Sequence, residues 1–245
     1  MINDLAAIIV KEWKEIFMQR GSLRSGIITV AVLMLMLGVL LPAQEGPAWL
    51  SEPMPVLLWT WVSLFLVMSV VADSFAGERE RHTLETLLAS RLSDGAILYG
   101  KMLASILYAW IVCLLGLIVG VVTVNIGWAE SEGFLFYPMS FFFATLGISL
   151  MGAVLMTAIG ILVSLKAEST RQAYQRMSMS LLLLIFIPVL FMQFIPYDLQ
   201  APLVNWISNL NLEQAGISVI VFLLALDIVL VAIVSRKFKR SELNL

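Results

Sequence analysis

The sequence contains almost none of the residues that build reactive or cross-linked sites. Its 245 residues include one cysteine, Cys113, and one histidine, His82. A lone cysteine excludes an internal disulfide framework and a cysteine-based zinc site. A lone histidine is too little for a zinc site or a catalytic triad, and we find neither a Gly-x-Ser-x-Gly motif nor a cluster of His, Asp and Glu. We therefore expect a protein that is not itself an enzyme and binds no metal.

Charge is scarce as well. Charged residues make up 13% of the chain and hydrophobic residues 60%, whereas a soluble domain carries roughly 25% charged residues. This composition cannot cover a large water-exposed globule. The net charge of −2 says little, because the charge is divided by side of the membrane. No nucleic-acid partner is expected. A membrane protein with the lipid bilayer as its main surroundings is the expected class.

Long apolar runs of about 20 residues each predict transmembrane helices, because backbone groups in lipid must pair within the segment. The fold class predicted is all-α, a polytopic membrane protein with one transmembrane domain over residues 1–245. The six predicted spans are 23–41, 55–76, 102–127, 138–165, 177–196 and 214–234.

The basic residues predict the topology. All fifteen Lys and Arg residues fall in four stretches, 11–24, 79–101, 166–176 and 236–240. The charged residues of the alternate turns are all acidic. They are Glu45, Glu52, Glu130, Glu132, Asp198 and Glu213. Because basic residues are retained in cytoplasmic loops, we expect both termini on the cytoplasmic side.

Residues 1–22 are expected to form an amphipathic connecting helix. Its apolar positions recur at helical spacing and are Leu5, Ile8, Ile9, Trp13, Ile16 and Phe17. The polar positions take the other face and are Lys11, Lys14, Glu15 and Gln19. This pattern favours a helix lying flat in the inner membrane interface, with a short soluble docking helix as the alternative.

Two features are expected on the outer side. Segment 197–212 is too polar to span, and its apolar stripe favours a short helix that dips into the outer leaflet as a re-entrant or gate segment, with an ordinary loop as the alternative. Aromatic residues also gather near the outer ends, which is typical of an interfacial belt. They are Trp49, Trp59, Trp61, Trp128 and Tyr137.

The loop 77–101 has helix signals of its own. Thr83 can cap a turn that carries Glu85, and Ser93 with Asp94 can start a second helix running into the third span. A short charged helix projecting from the membrane suits contact with a soluble partner that transmits force. A solvated connector is the alternative.

Few polar side chains lie inside the spans. Asp227, Asn125 and Gln193 are the candidates for a transport path or for polar contacts between helices. A carboxylate within a span is costly and usually faces a bundle interior or water. Structural pairing and contact with a substrate or gate both remain open for Asp227.

The run Phe75-Ala-Gly-Glu-Arg-Glu-Arg-x-Thr-Leu-Glu-x-Leu-Leu, with Leu-Ser and a downstream Gly100–Lys101, resembles the permease subunits of ABC exporters. The similarity is to the ABC-two family, also called type V exporters, and covers essentially the whole chain. The sequence departs from that family at His82, which is commonly glycine, and at Arg91, which lies near a common proline. The resemblance implies that this loop is a coupling helix whose contacts with an ATPase subunit are Glu78, Arg79, Glu80, Arg81, Thr83, Leu84 and Glu85.

A nucleotide-binding loop is not expected in this chain. Residues 95–102 nearly match the motif G-x-x-x-x-G-K-[ST], but Met102 replaces the hydroxyl that would hold magnesium. ATP and magnesium are therefore expected on a partner ATPase. The resemblance implies a permease subunit of an ATP-driven exporter in a prokaryotic cell membrane, paired with a second permease and with the second and fifth spans lining the path. An ion-coupled secondary transporter and a non-transporting subunit of a membrane complex are the alternatives.

Overall fold

The chain is described by a computed structural model over residues 2–18, 23–83, 92–194 and 212–238, with single positions Pro196, Pro202 and Asn209. These residues form helices joined by short turns, and no strand occurs among them. The all-α fold expected from the apolar runs is confirmed.

The helices follow one another with few interruptions. Two of them continue without a break through a wider π-helical turn, at Met34–Leu40 and at Ala72–Gly77. The α-helices are α1 Ile2–Met18, α2 Leu23–Leu33, α3 Leu41–Glu45, α4 Ala48–Ser51, α5 Met54–Val71, α6 Glu78–Glu80, α7 Asp94–Glu132, α8 Met139–Ser164, α9 Thr170–Phe194 and α10 Leu212–Lys237.

Within the described residues, five helical segments are long and apolar enough to cross a membrane. They are Ile27–Glu45, Met54–Glu80, Asp94–Trp128, Met139–Ser164 and Gly216–Lys237. The predicted span 177–196 overlaps α9, which is not among the five, and several side chains near the end of α9 lie outside the described residues. A multi-pass membrane protein is therefore established, and the sixth span stays a prediction.

The core lies where α5 packs against α7 and α8, while α10 packs on α8 and α1 crosses α7. Trp59 of α5 is completely buried in it. A Cβ atom placed on Gly116 of α7 would lie 2.0 Å from the Trp59 ring. Only glycine leaves room for this indole, so Gly116 sets how closely α5 and α7 approach.

Most of the aromatic residues near the predicted outer ends pack inside the bundle. Trp49, Trp59 and Tyr137 are buried among the helices, and Trp61 is partly buried. Trp128 is 43% exposed and matches the expectation. Glycines on α7 leave room for the three buried rings, since Gly116 faces Trp59 and Gly120 faces Trp49 and Tyr137.

The structure gathers the basic groups of different elements at one end of the bundle. Lys11 of α1 contacts Glu78, and Arg79 reaches the carbonyl of Leu165. The end of α10 arrives at the same place, where the Phe238 ring meets the edge of the Phe75 ring at a centroid distance of 6.0 Å. We call this the basic end. The grouping agrees with the charge pattern on which the topology prediction rests.

Candidate functional site

A buried lysine lies at the centre of the basic end. Lys101, in the second turn of α7, has no solvent-exposed surface. Its Nζ atom lies 2.8 Å from Oε1 of Glu12 on α1 and 2.9 Å from Oε1 of Glu78 on α6. It also donates hydrogen bonds to the backbone carbonyl of Ser74 at 2.8 Å and to the Ser74 hydroxyl at 3.0 Å. We call Lys101, Glu12, Glu78, Ser74 and Lys11 the lysine cluster.

The remaining contacts of the cluster close it into a network. The Ser74 hydroxyl donates to Oε2 of Glu12 at 2.7 Å, and Lys11 pairs with Glu78 and, at 3.3 Å, with Glu12. A buried charge is tolerated when it is paired and its hydrogen bonds are satisfied. Both conditions hold for Lys101, so α1, the turn Ala72–Gly77, α6 and α7 are joined by one set of polar contacts.

The charges of α1 are tuned by this network. Burial raises the pKa of the Glu12 carboxyl, but the charge and hydrogen bond of Lys101, the Ser74 hydroxyl and Lys11 together bring that pKa below its usual range. Burial lowers the pKa of Lys11, but the carboxylates of Glu78, Glu12 and Glu15 outweigh it and raise that pKa well above its usual range. Both groups therefore stay charged at neutral pH.

Packing around the cluster holds α1 close to α7. Ile8 and Ile16 are buried on either side of Glu12, one helical turn away in each direction. A Cβ atom on Gly100 would lie 2.7 Å from Ile8, so α1 sits directly on a glycine. The indole nitrogen of Trp13 donates to the carbonyl of Ala104 at 3.3 Å. Gly100 and Lys101 were first noted as part of a sequence motif. Gly100 thus lets Ile8 of α1 approach α7 closely, and Lys101 neutralises Glu12 of α1.

The segment after Glu78 reaches two further helices. Arg79 donates to the carbonyl of Leu165 at 2.8 Å, just after the end of α8. Glu80 accepts hydrogen bonds from the backbone N–H of Thr170 at 3.0 Å and from its hydroxyl at 2.7 Å. These contacts satisfy groups that helix ends leave unpaired and place a negative charge at the start of α9.

The chain turns sharply after α6. Arg81 pairs with Asp73 at 2.6 Å, and the Thr83 hydroxyl donates to the carbonyl of Glu78 at 3.2 Å. His82 adopts a φ of 56°, a left-handed conformation that favours glycine. This conformation suits the glycine that the sequence resemblance implies here, so His82 occupies the position with strain. Leu84, Glu85 and Arg91 lie outside the described residues.

Of the two helices predicted in the loop 77–101, one is confirmed and the other lies outside the described residues. Ser93 is the N-cap of α7 and accepts a hydrogen bond from the N–H of Ala96 at 3.2 Å, so the predicted second helix is confirmed. The helix expected after Thr83 falls outside the described residues. The contacts of Glu78 through Arg81 within the chain were not predicted, and the role of these residues in binding an ATPase remains a prediction.

Sequence reasoning missed Glu12 and Ser74 and treated Lys101 only as a topological charge. A signal for Glu12 was present, since it falls on the same helical stripe as Ile8 and Ile16. A charged residue between two apolar ones on a docking face indicates a buried partner of opposite charge.

The three intramembrane candidates are placed apart. The Asn125 amide donates to the carbonyls of Val121 at 2.8 Å and Leu135 at 2.7 Å and accepts from the N–H of Leu135 at 2.8 Å, so it ties the end of α7 to the following chain. Asp227 is buried on α10, and neither carboxylate oxygen has a hydrogen-bond partner in the described part of the chain. Gln193 lies in α9, and its side chain is outside the described residues.

Two carboxylates of the lysine cluster and the neighbouring Glu15 resemble a cation site at first inspection. One oxygen from each of Glu12, Glu15 and Glu78 lies within 4.8 Å of the others. The ammonium groups of Lys11 and Lys101 are already in contact with these oxygens. Charge balance therefore favours an ion-pair cluster over a metal site.

Comparison with known proteins identifies a family for this chain. Residues 62–243 match a family model described as an ABC-2 family transporter protein. A search of curated proteins finds no match to the chain. The matched region holds Ser74, Glu78 and Lys101, whereas Glu12 lies before it. Since this match covers well over half of its length, the chain belongs to the ABC-2 transporter family and is a membrane-spanning transport component.

Proposed function

We propose that this chain is the permease subunit of an ATP-driven exporter in the cell membrane of a prokaryote. A separate ABC ATPase would bind ATP and magnesium, and a second permease, either a copy or a different chain, would complete the transport path. Both termini and residues 77–101 and 166–176 would face the cytoplasm, in accord with the basic residues gathered at one end.

The observation that carries this proposal is the set of contacts made by residues 78–83. Glu78 is buried and joins α1 and α7 through two lysines. Arg79 and Glu80 are exposed and hold the end of α8 and the start of α9. A force applied to this short segment is therefore passed to four helices at once.

The exposed surface of the segment fits contact with a partner. Arg79 through Thr83 are all exposed, while Glu78 points into the lysine cluster. One side of the segment is thus available to an ATPase and the other is anchored in the bundle. We propose that movement of the ATPase is delivered here and tilts the attached helices, which opens the path between two permeases.

By family resemblance, α5 and α9 would line that path, and segment 197–212, which lies outside the described residues, would close its exit. An ion-coupled secondary transporter is the second candidate. That class uses several ionisable groups near the middle of the membrane, and Asp227 is the one acidic residue well inside a predicted span. The charge distribution favours the ATP-driven exporter.

The test is co-expression of this chain with candidate ABC ATPases from the same genome, followed by purification and reconstitution. We expect the two proteins to copurify and the permease to change the rate of ATP hydrolysis. Glu80→Lys should abolish that change, because it puts a positive charge at the start of α9 and on the exposed coupling surface. Glu80→Gln keeps an oxygen that can accept from Thr170 and should retain most of the effect.

A matched control is available at the opposite end. Glu52 is also exposed, and Glu52→Lys should leave copurification and ATP hydrolysis unchanged. If Glu80→Lys and Glu85→Lys both keep normal ATPase association and transport, the coupling role of this segment is wrong. Labelling of a cysteine at Leu92, in a Cys113→Ser background, by an impermeant reagent from outside the cell would contradict the topology.

A further inference from the structure

Asp227 faces a cavity that the proposed coupling mechanism does not use. The cavity has a volume of about 490 Å³ and lies between the start of α7, the middle of α8 and the second half of α10. Its walls are mainly aliphatic, and its polar side chains are a carboxylate, a phenol and a hydroxyl. Residues lining it include Tyr99, Met151, Val154, Asp227, Val231 and Ser235.

No countercharge contacts this buried carboxylate within the described part of the chain. Asp227 is 4% exposed, and neither of its oxygens has a hydrogen-bond partner among the described residues. Arg236 and Lys237 belong to the same helix, but their side chains are exposed at the basic end, about 14 Å further along the axis. An acidic group held in an apolar region without a partner is costly, so a group that neutralises it when bound gains affinity from that contact.

The residues that line the cavity favour one class of cation over others. A calcium or magnesium ion requires six or more oxygen ligands. Among the described residues, the lining offers the side chains of Asp227, Tyr99 and Ser235 as its only polar ligands. A proton alone would neutralise Asp227 but would leave the apolar chamber unfilled. An organic cation with apolar groups satisfies both the carboxylate and the walls.

An aromatic ring adds to this selection. Tyr99 is 41% exposed and lines the same chamber, close to the basic end. The face of a phenol ring attracts cations, and the attraction grows where water is excluded. Ile228 of α10, 64% exposed, also lines the chamber, which is therefore reached from the side of the bundle.

We propose that this chamber is a binding site for an amphipathic organic cation, whose charged group is held by Asp227 and Tyr99 and whose apolar groups contact α8 and α10. The site is lateral, on the side of the bundle, and does not depend on how the chain is coupled to an ATPase. The cation would enter from the membrane.

The probe is tetraphenylphosphonium, a permanent cation with apolar groups, and its control is tetraphenylborate, an anion of the same shape. Binding is measured by equilibrium dialysis with the full-length chain in phosphatidylcholine nanodiscs, against nanodiscs without protein. We expect saturable binding of the cation, weakened about tenfold or more in Asp227→Asn, because one charged contact is lost. Asp227→Glu should retain binding, and the anion should show no dependence on residue 227.

A second measurement keeps the test valid if Asp227→Asn folds poorly. In a Cys113→Ser background, Ser235→Cys should react with a maleimide, and tetraphenylphosphonium but not tetraphenylborate should slow that reaction. Equal binding of the cation to wild-type protein and folded Asp227→Asn would overturn the proposal. So would equal protection of the cysteine by both ions, since the site would then select for shape and not for charge.

Discussion

The Nζ atom of Lys101 lies 2.8 Å from Oε1 of Glu12, although 89 residues separate them in the chain. This ion pair joins the helix α1 to α7, beside the apolar contacts of Ile8 with Gly100. Its partners Ser74 and Glu78 extend the same contact to the end of α5 and to α6. The pair therefore joins the segment before the first predicted span to the segment between the second and third.

Lys101→Met should destabilise the protein strongly. The change removes the shared cation and leaves Glu12 and Glu78 buried with fewer partners, and breaking a buried ion pair in this way costs about 3–5 kcal/mol. The measurement is the free energy of unfolding in mixed micelles. Lys14→Met is the control, because Lys14 is exposed on α1, and it should change stability by less than about 0.5 kcal/mol. Equal stability of both variants would contradict the central role of Lys101.

Gly116→Ala should separate α5 from α7. The added methyl would lie 2.0 Å from the Trp59 ring, and forcing extra atoms into a packed core costs about 1–3 kcal/mol or more. Gly127→Ala on the same helix is the control, since nothing lies within 4 Å of the added atom, and better helix propensity should leave it neutral or more stable. Melting temperatures of the two variants check this, and a Gly116→Ala protein as stable as Gly127→Ala would refute the packing.

His82→Gly should make the turn after α6 more stable. The left-handed φ of 56° costs a residue with a side chain about 1–2 kcal/mol, part of which glycine loses again through its greater freedom when unfolded. Slower hydrogen exchange at residues 78–83 is the expected result. His82→Ala keeps the strained conformation and should show no such gain. Faster exchange in His82→Gly than in wild type would mean that the imidazole itself holds the turn.

The docking of α1 should depend on pH at both extremes. The pKa of Glu12 is lowered from its usual value of 4.5, so the stability it contributes is present above about pH 4.5 and is lost as pH falls through the folded value. The pKa of Lys11 is raised from 10.5, so its contribution is present below that pH and is lost as pH rises through the folded value.

The check is the melting temperature of wild-type protein and of Glu12→Gln measured across pH. The gap between them should stay wide at neutral pH and close in acid, because wild-type Glu12 becomes protonated and loses its charge. A gap that stays constant down to the pH where the protein unfolds would show that Glu12 contributes through its shape and not its charge.

The sequence was sufficient for elements whose signal is local. Apolar length located five helices able to span a membrane, and the hydroxyl of Ser93 located the start of α7. The lysine cluster was not predictable in the same way, because the pairing of Lys101 with Glu12 depends on α1 lying across α7. No local sequence pattern predicts which acidic residue pairs with Lys101.

Aromatic residues show the same limit. Trp49, Trp59 and Tyr137 lie near the predicted outer ends of spans. Trp and Tyr are residue types that favour a membrane interface. Whether such a ring turns outwards to lipid or inwards depends on room on the neighbouring helix. Gly116 provides that room for Trp59, and no sequence rule connects two residues so far apart in the chain.

The length of α7 has a mechanical consequence. Its 39 residues form a rod of about 58 Å, longer than the roughly 45 Å of a bilayer with its headgroups. Lys101 and Asn125 are attached to other elements near opposite ends of this rod, about 36 Å apart. A tilt of about 5° with one end held would therefore displace the other end by about 3 Å. A small rotation at one membrane surface thus becomes a displacement of atomic size at the other, with no change in the helix itself.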